Sequence, residues 1–368
     1  MTDNRVCVQR VLPADGVESW TLTDAEGLIT PAERFLAHLV AIERSPNTVR
    51  AYAHDLRDYF EFLGARGLRW DDLQLEDLGH FIAWLRLPPV ARTGVIAVLP
   101  SAEVPLSVAT VNRKLAALSS FYQFHQRHGV DLGDLVTQWH PGGRSGASWK
   151  PFLAHLGTKD VRRRTVKLKT NKRVAPVVSG EQMQRLLAAC DLIRDRFLLT
   201  LLREAGLRIG EALGLRHEDI DARRCEISVI QRRNANGARA KSFGRQVPVA
   251  APLVRLFSDY LHAEYGPLDS DYVFVSLAGE SRGRAMTYPA VYRLVRRLHR
   301  ETGIFFTPHA LRHSYATHLL RRGVAIEIVQ QLMGHASIAT TADTYSHLDV
   351  EDARRALVTA GCLDPGAA

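Results

Sequence analysis

Three short segments in the second half of the chain concentrate groups that can grip or protonate a phosphate. The first, Ala205-Gly206-Leu207-Arg208-Ile209-Gly210-Glu211, reads as a helix that breaks at glycine and restarts with Arg208 just inside the new first turn. The second, His309-Ala310-Leu311-Arg312-His313, lies on a helix capped by Thr307 and Pro308, where an i,i+3 spacing puts His309 and Arg312 on one face. The third runs from Leu332-Met333-Gly334-His335 through Ala336-Ser337-Ile338 to Thr344-Tyr345-Ser346-His347. A phosphodiester under attack gathers charge on its non-bridging oxygens, and two arginine forks suit that charge. A tyrosine, with an ordinary pKa of ~10, becomes a nucleophile only beside a base or in a strongly positive site.

Each segment taken singly has a plain alternative. Arg208 can pair with Glu204 or Glu211, His309 and His313 can be surface residues of a helix, and Tyr345 can be an amphipathic core tyrosine. A metal reading rests on His309, His313 and His318, but no carboxylate or cysteine accompanies that spacing and HExxH is absent. Gly206 and Gly210 make no phosphate-cradling loop, because no GK[ST] follows. Cys7, Cys190, Cys225 and Cys362 show no paired spacing, so neither a zinc site nor a disulfide framework is expected. No metal or other cofactor is called for.

The elements that must position these groups fall into two halves. Residues 1 to about 25 read as a short leader. Thr30-Pro31-Ala32-Glu33 reads as N-cap, first-turn proline and capping-box glutamate. Ser45-Pro46-Asn47-Thr48 starts a second helix whose apolar stripe is Val49, Tyr52, Leu56, Tyr59, Phe60 and Leu63, ending at Gly64. A third helix spans about Leu78 to Leu85 and stops at Pro88-Pro89, a long loop follows to Pro105, and a fourth helix runs from Ser107 to His128. The first half is thus expected to be a small all-helical bundle. In the second half Ser179-Gly180-Glu181-Gln182 has a capping-box pattern, and a helix covers Phe197 to Glu204. Glu226 to Ile230 and Gln246 to Val249 read as strands joined through the Asn234-Ala235-Asn236-Gly237 turn. Helices return at Tyr288 to Thr302, Pro308 to Arg321, Ala325 to Met333 and Asp349 to Thr359.

At 368 residues the chain is long enough for two domains and a linker, and its 46% apolar and 24% charged residues exclude a mostly disordered chain. No apolar run approaches the roughly 18 to 20 residues of a membrane span, and the N-terminus lacks a signal-peptide pattern, so a cytoplasmic location is expected. The net charge of +9 favours a polyanionic partner. Seven of the twelve positions from Arg162 to Arg173 are basic (Arg162, Arg163, Arg164, Lys167, Lys169, Lys172, Arg173) with no acid among them. Such a strap either lies in solvent or tracks a phosphate backbone, releasing condensed counterions.

G-L-R-x-x-E, then H-x-L-R-H, then L-x-G-H, then a tyrosine ten residues on, taken in that order, resembles the tyrosine recombinase, or phage integrase, family. The likeness covers about Val174 to Leu357. It extends more weakly to Ser45-Pro46-Asn47-Thr48-Val49-Arg50-Ala51-Tyr52 and Thr110-Val111-Asn112-Arg113-Lys114-Leu115, which look like the family's helical DNA-clamping domain. The resemblance implies a mainly α fold with a small antiparallel β-sheet. It divides the chain into a leader (1–25), a helical core-binding, SAM-like domain (26–138), a basic interdomain linker (139–174) and a mixed α/β catalytic domain (175–368).

The resemblance assigns the family's two arginines to Arg208 and Arg312, its histidines to His309 and His335, and its nucleophile to Tyr345. Its hairpin lysine falls on Lys241, although the spacing to Val247-Pro248 is shorter than in the commonest members, and Arg239 and Arg245 stand close by. On this reading His309 takes the phenol proton, Lys241 protonates the departing 5′-hydroxyl and His335 hydrogen-bonds the phosphate. Arg50, Arg113, Lys114 and the seven basic linker residues are the candidate DNA contacts. The expected activity is site-specific recombination through a covalent 3′-phosphotyrosine, for integration, excision or transposition of a mobile element. The expected partners are double-stranded DNA at specific sites and three further copies of the chain on two duplexes, with room for accessory proteins. The helix after Tyr345, with Val350, Ala353 and Leu357 as its apolar face, would dock on a neighbouring protomer or on its own domain. A type IB topoisomerase and a DNA-binding regulator with a decayed site are the competing classes.

Overall fold

The computed structural model describes residues 5–12, 19–87, 92, 106–130, 137–140, 161–164, 168–169, 176–240 and 244–334, with the backbone alone at 137–140 and 161–164. The chain divides into two compact units, Met1–Lys172 and Arg173–Ala368.

The stretch expected to be a leader is part of the first unit's fold. β1 (Cys7–Val11), β2 (Ser19–Asp24) and β3 (Gly27–Leu28) form an antiparallel sheet with β2 in the middle, and Val8 stands opposite Leu22. Val6 and Leu22 are buried and belong to the same core as Phe35, Leu36 and Phe121. The tight β2–β3 turn uses Gly27 at φ 119°, and the Asp24 carboxylate accepts from the Glu26 N–H at 2.9 Å. Short strands that alternate weakly leave little periodicity to read, which is why the sheet is not evident from sequence.

Among the described residues four helices pack with this sheet: α1 (Thr30–Ala41), α2 (Pro46–Arg66), α3 (Leu75–Leu85) and α4 (Val108–Arg127). Thr30 is not the cap of α1; that place is taken by Ile29, and Pro31 lies in the first turn. Ser45 does cap α2, accepting from the Thr48 N–H at 3.2 Å. The helix passes through Gly64 and ends at Gly67, whose φ of 65° is the left-handed conformation of a C-terminal glycine. Its buried face is Val49, Ala53, Leu56, Tyr59, Phe62 and Leu63, with Tyr52 and Phe60 at the margin. Edge-to-face ring pairs join α1 to α4 (Phe35 with Phe121), α2 to α3 (Tyr59 with Phe81) and α2 to α4 (Phe60 with Phe121).

Within the linker as read from sequence, β4 (Thr137–His140) pairs antiparallel with β5 (Val161–Arg164), placing Arg162, Arg163 and Arg164 opposite Trp139, Gln138 and Thr137. Farther on, the Asn112 side chain holds the backbone of Leu168 as a strand neighbour would, donating to its carbonyl at 2.9 Å and accepting from its N–H at 2.9 Å.

The second unit is built on α6 (Ile193–Glu204), whose Leu198, Leu199, Leu201 and Leu202 are fully buried between α8 (Ala251–Tyr260) and α10 (Pro308–Arg321). α5 (Gly180–Ala188) opens with the Ser179–Gln182 capping box. α7 (Ile209–Ala212) is a single turn. β6 (Ile220–Asp221), β7 (Glu226–Val229) and β8 (Arg245–Pro248) form an antiparallel sheet in that order, with Ile227 opposite Val247. α8, which continues as a π turn over Leu261–Tyr265, has no counterpart in the sequence reading. α9 (Tyr288–Thr302) and α11 (Ile326–Met333) are its remaining helices among the described residues. The 349–359 helix and the Pro89–Pro105 loop fall outside the described residues, Arg92 excepted. Among the described residues no helix is long and apolar enough to cross a membrane.

Because Leu22 is wholly buried in the first unit's core, Leu22→Ala is expected to lower the unfolding free energy by roughly 3 kcal/mol. Urea unfolding of the full chain measures this; a change within a few tenths of a kcal/mol would mean that the sheet is an appendage and not part of the core.

Candidate active site

Three arginines and one glutamate from three separate elements converge in the second unit. Arg208 stands at the N-cap of α7, and its own N–H donates to Glu211 Oε2 at 2.8 Å, which closes the turn. The Arg208 guanidinium also reaches Glu211, with Nη1 to Oε1 at 2.9 Å. Arg245, the first residue of β8, donates to both carboxylate oxygens, at 2.8 and 3.2 Å. Arg312 on α10 brings Nη1 within 3.7 Å of Oε2. The Glu211 side chain is fully buried, and burial pushes its pKa up, yet Arg245, and after it the backbone N–H and guanidinium of Arg208, hold it down at about 2.

The same three arginines take the open end of α11. The last carbonyls of a helix have no partner within it and carry the negative end of its dipole. Here the Leu332 carbonyl accepts from Arg245 Nε at 2.7 Å, the Met333 carbonyl from Arg312 Nη2, and the Gly334 carbonyl from Arg208 Nη2 at 3.1 Å. Gly334 ends α11 at φ 59°, and His335 is the next residue. The arginine cluster thus fixes the point from which the chain departs toward His335 and Tyr345.

Close packing sets the depth of the cluster. Gly206 has φ 61° and its carbonyl accepts from Arg312 Nη1 at 2.6 Å. A Cβ at Gly206 would lie 2.3 Å from the Tyr315 ring, so no other residue fits without displacing α10. A Cβ at Gly210 would lie 2.4 Å from the Tyr288 hydroxyl and 2.7 Å from the Arg239 carbonyl. The connection from β7 to β8, which carries Lys241, therefore docks directly on α7. Asn236 pins the same connection, donating to the Leu213 and Met286 carbonyls at 3.0 and 2.8 Å.

His309 follows the Thr307 cap and Pro308 in the first turn of α10, and the Thr307 side chain accepts from the Ala310 N–H at 3.1 Å. It lies near both Arg312 and Arg208. Partial burial and these two cations, in that order, push its pKa below the ordinary value and favour the neutral imidazole. Arg208, His309 and Arg312 are thus brought together, while Lys241, His335 and Tyr345 lie outside the described residues. Arg245, one of the alternatives to Lys241, is buried against Glu211 and is not placed to protonate a leaving group. Arg239 is exposed. Among the described residues no group of three or more His, Cys, Asp or Glu could hold a metal ion.

The candidate DNA contacts of the first unit separate by environment. Lys114 is corrected: its ammonium is buried and bridges Asp58 at 2.6 Å and Asp55 at 3.1 Å, so it holds α4 to α2 and does not face a phosphate. Arg113 is half-exposed and also pairs with Asp55. Arg50 is exposed, with its guanidinium 5.1 Å from the centre of the Trp20 ring. Lys169 is exposed, no side chain is described for Arg162, Arg163 and Arg164, and Lys167, Lys172 and Arg173 lie outside the described residues. Glu211 and Arg245 are the residues that sequence reasoning undervalues. The i+3 spacing from Arg208 is visible in the sequence, but the burial that turns Glu211 into a shared counter-ion is not.

This site sits in a chain that belongs to the phage integrase family of tyrosine recombinases, site-specific DNA recombinases. The description "Phage integrase family" matches residues 176–352, and "Phage integrase, N-terminal SAM-like domain" matches residues 32–129. Among its relatives, transposase A from transposon Tn554 of Staphylococcus aureus is 36% identical over 88% of this chain and 89% of its own length. Tyrosine recombinase XerC of Alcanivorax borkumensis is 28% identical over 89% of this chain and 92% of its own. In fold the chain is similar to the integrase of transposon Tn1549 solved with transposon right-end DNA, at TM-score 0.61 and 17% identity over 90% of this chain and 99% of that one.

The depressed pKa of Glu211 makes stability depend on acid. Its contribution is fully present above the ordinary value of 4.5 and is lost as pH falls toward about 2. Wild type is expected to lose on the order of 3 kcal/mol more than Glu211→Gln across that window. Urea midpoints of the two proteins measured side by side check this, and parallel pH profiles would refute the shared counter-ion.

Proposed function

We propose that the chain cuts and rejoins DNA strands with Tyr345 as nucleophile. The Tyr345 hydroxyl oxygen attacks the scissile phosphorus, the bond to the 5′-oxygen breaks, and a 3′-phosphotyrosine forms. Arg208 and Arg312 hold the non-bridging oxygens, where charge accumulates. His309 accepts the phenol proton, Lys241 delivers a proton to the departing 5′-oxygen, and His335 donates a hydrogen bond to the phosphate. A 5′-hydroxyl from a second strand then reverses these steps, so the bond energy is retained and no nucleotide cofactor is required. The observation that carries this reading is the convergence of Arg208 and Arg312 on Glu211, with His309 near both arginines, against the helix end that leads into His335.

The role we infer is movement of a mobile element, supported by 36% identity to a transposase over most of both chains. A tetramer on two duplexes, joined where needed by accessory proteins, would carry out the exchange. Residues 26–138 would clamp the DNA together with the catalytic domain at 175–368, and the basic strap from Arg162 to Arg173 would track the backbone between them. Arg50 and Arg113 would add phosphate contacts.

Tyr345→Phe is expected to abolish the covalent protein–DNA adduct on a nicked suicide substrate while leaving DNA affinity within about twofold. An adduct still trapped by that variant would remove Tyr345 from the mechanism. For Lys241, the informative substrate carries sulfur in place of the 5′ leaving oxygen. Lys241→Ala should cleave it at close to the wild-type rate, because the thiolate leaves without a proton; absence of rescue would sink the general-acid role.

A further inference from the structure

A cleft of 850 Å³ opens in the second unit beside the start of α9. Thr287, Ala290 and Arg293, spaced i,i+3 along one face of α9, line one wall, and Arg284 and Asn236 contribute to the others. The charged groups in its lining are Arg194, Arg284, Arg293 and Glu280. Arg194 is occupied: it reaches Asp195 at 2.7 and 2.9 Å and the Val275 carbonyl at 3.0 Å. Arg284 and Arg293 are exposed, and neither guanidinium has a hydrogen-bond or ion-pair partner among the described residues. Arg297, one turn farther along α9, differs in pairing with Asp191 and Asp195.

Two further features favour an anion here. The Thr287 hydroxyl does not cap α9, and that helix, 15 residues long, turns its positive end toward the cleft. Glu280 is the one acid among the lining residues, so the charge left after Arg194 pairs with Asp195 is still positive.

We propose that this cleft is a second phosphate site, in which Arg284 and Arg293 hold a DNA backbone phosphate flanking the one that is cut. The proposal rests on the reading that the chain acts on DNA. Tyr288, the residue after Thr287, packs its hydroxyl over Gly210 in the turn that Arg208 begins. The α9 end of the cleft therefore lies beside the turn that Arg208 begins, and the phosphates of a strand held there recur about every 3.4 Å of helix axis. Such an interaction positions the strand and reads no base.

The test is a fluorescence-anisotropy titration of the full chain on a labelled duplex between about 50 and 200 mM salt. In Arg284→Gln/Arg293→Gln the slope of log affinity against log salt should become shallower by about 0.9 for each phosphate that is no longer neutralised. Arg255→Gln, an exposed arginine of α8 outside the cleft, should keep the wild-type slope. An unchanged salt slope in a double variant with wild-type circular dichroism overturns the proposal. The readout is binding, so it stands whether or not Tyr345 is the nucleophile; a wild-type chain with no salt-dependent DNA binding would overturn the DNA reading along with the cleft.

Discussion

The second unit is organised around a carboxylate that three guanidiniums share. Isolated and buried, Glu211 would cost several kcal/mol and would take up a proton in preference to staying charged. With Arg208, Arg245 and Arg312 around it, the anion is retained. The cluster carries more positive than negative charge, so its outer face still suits a phosphate. Its arginines are also preorganised, because each is held by the carboxylate on one side and by a carbonyl at the end of α11 on the other. Donors fixed in advance need little reorganisation when charge develops on a reacting phosphate.

This arrangement ties the candidate groups to the fold at several points. α7, β8, α10 and α11 each supply a member, and none can shift without pulling away from the shared carboxylate or from the helix end. Gly206 and Gly210 let the backbone approach closely enough for those interactions to form. The first unit uses a related device: Lys114, between Asp55 and Asp58, joins α4 to α2 through a buried ion pair. In both units, charges that read in the sequence as surface groups hold elements together.

Lys114 and Arg284 exchange the roles their surroundings in the sequence suggest. Lys114 lies in a segment that resembles a DNA-clamping helix, yet its ammonium faces inward. Arg284 sits in an irregular stretch with no motif, yet its guanidinium is open in a cleft lined by a helix N-terminus. Local spacing says which residues carry charge. Whether a charge is neutralised depends on neighbours far away in the chain.

The order and spacing of Arg208, Lys241, His309, Arg312, His335 and Tyr345 were legible from sequence, as were the family and most helix boundaries of both units. Caps such as Ser45, Ser107, Ser179 and Thr307 were legible because capping acts over three or four residues. The N-terminal sheet, α8 and the pairing of β4 with β5 were not, since short strands and a weakly patterned helix are selected by the surfaces they bury. The role of Glu211 was equally hidden. Its pairing with Arg208 is local, but its burial and its bonds to Arg245 and Arg312 span 34 and 101 residues of chain. Electrostatic worth of that kind depends on distance and solvent exclusion, which only the folded chain sets.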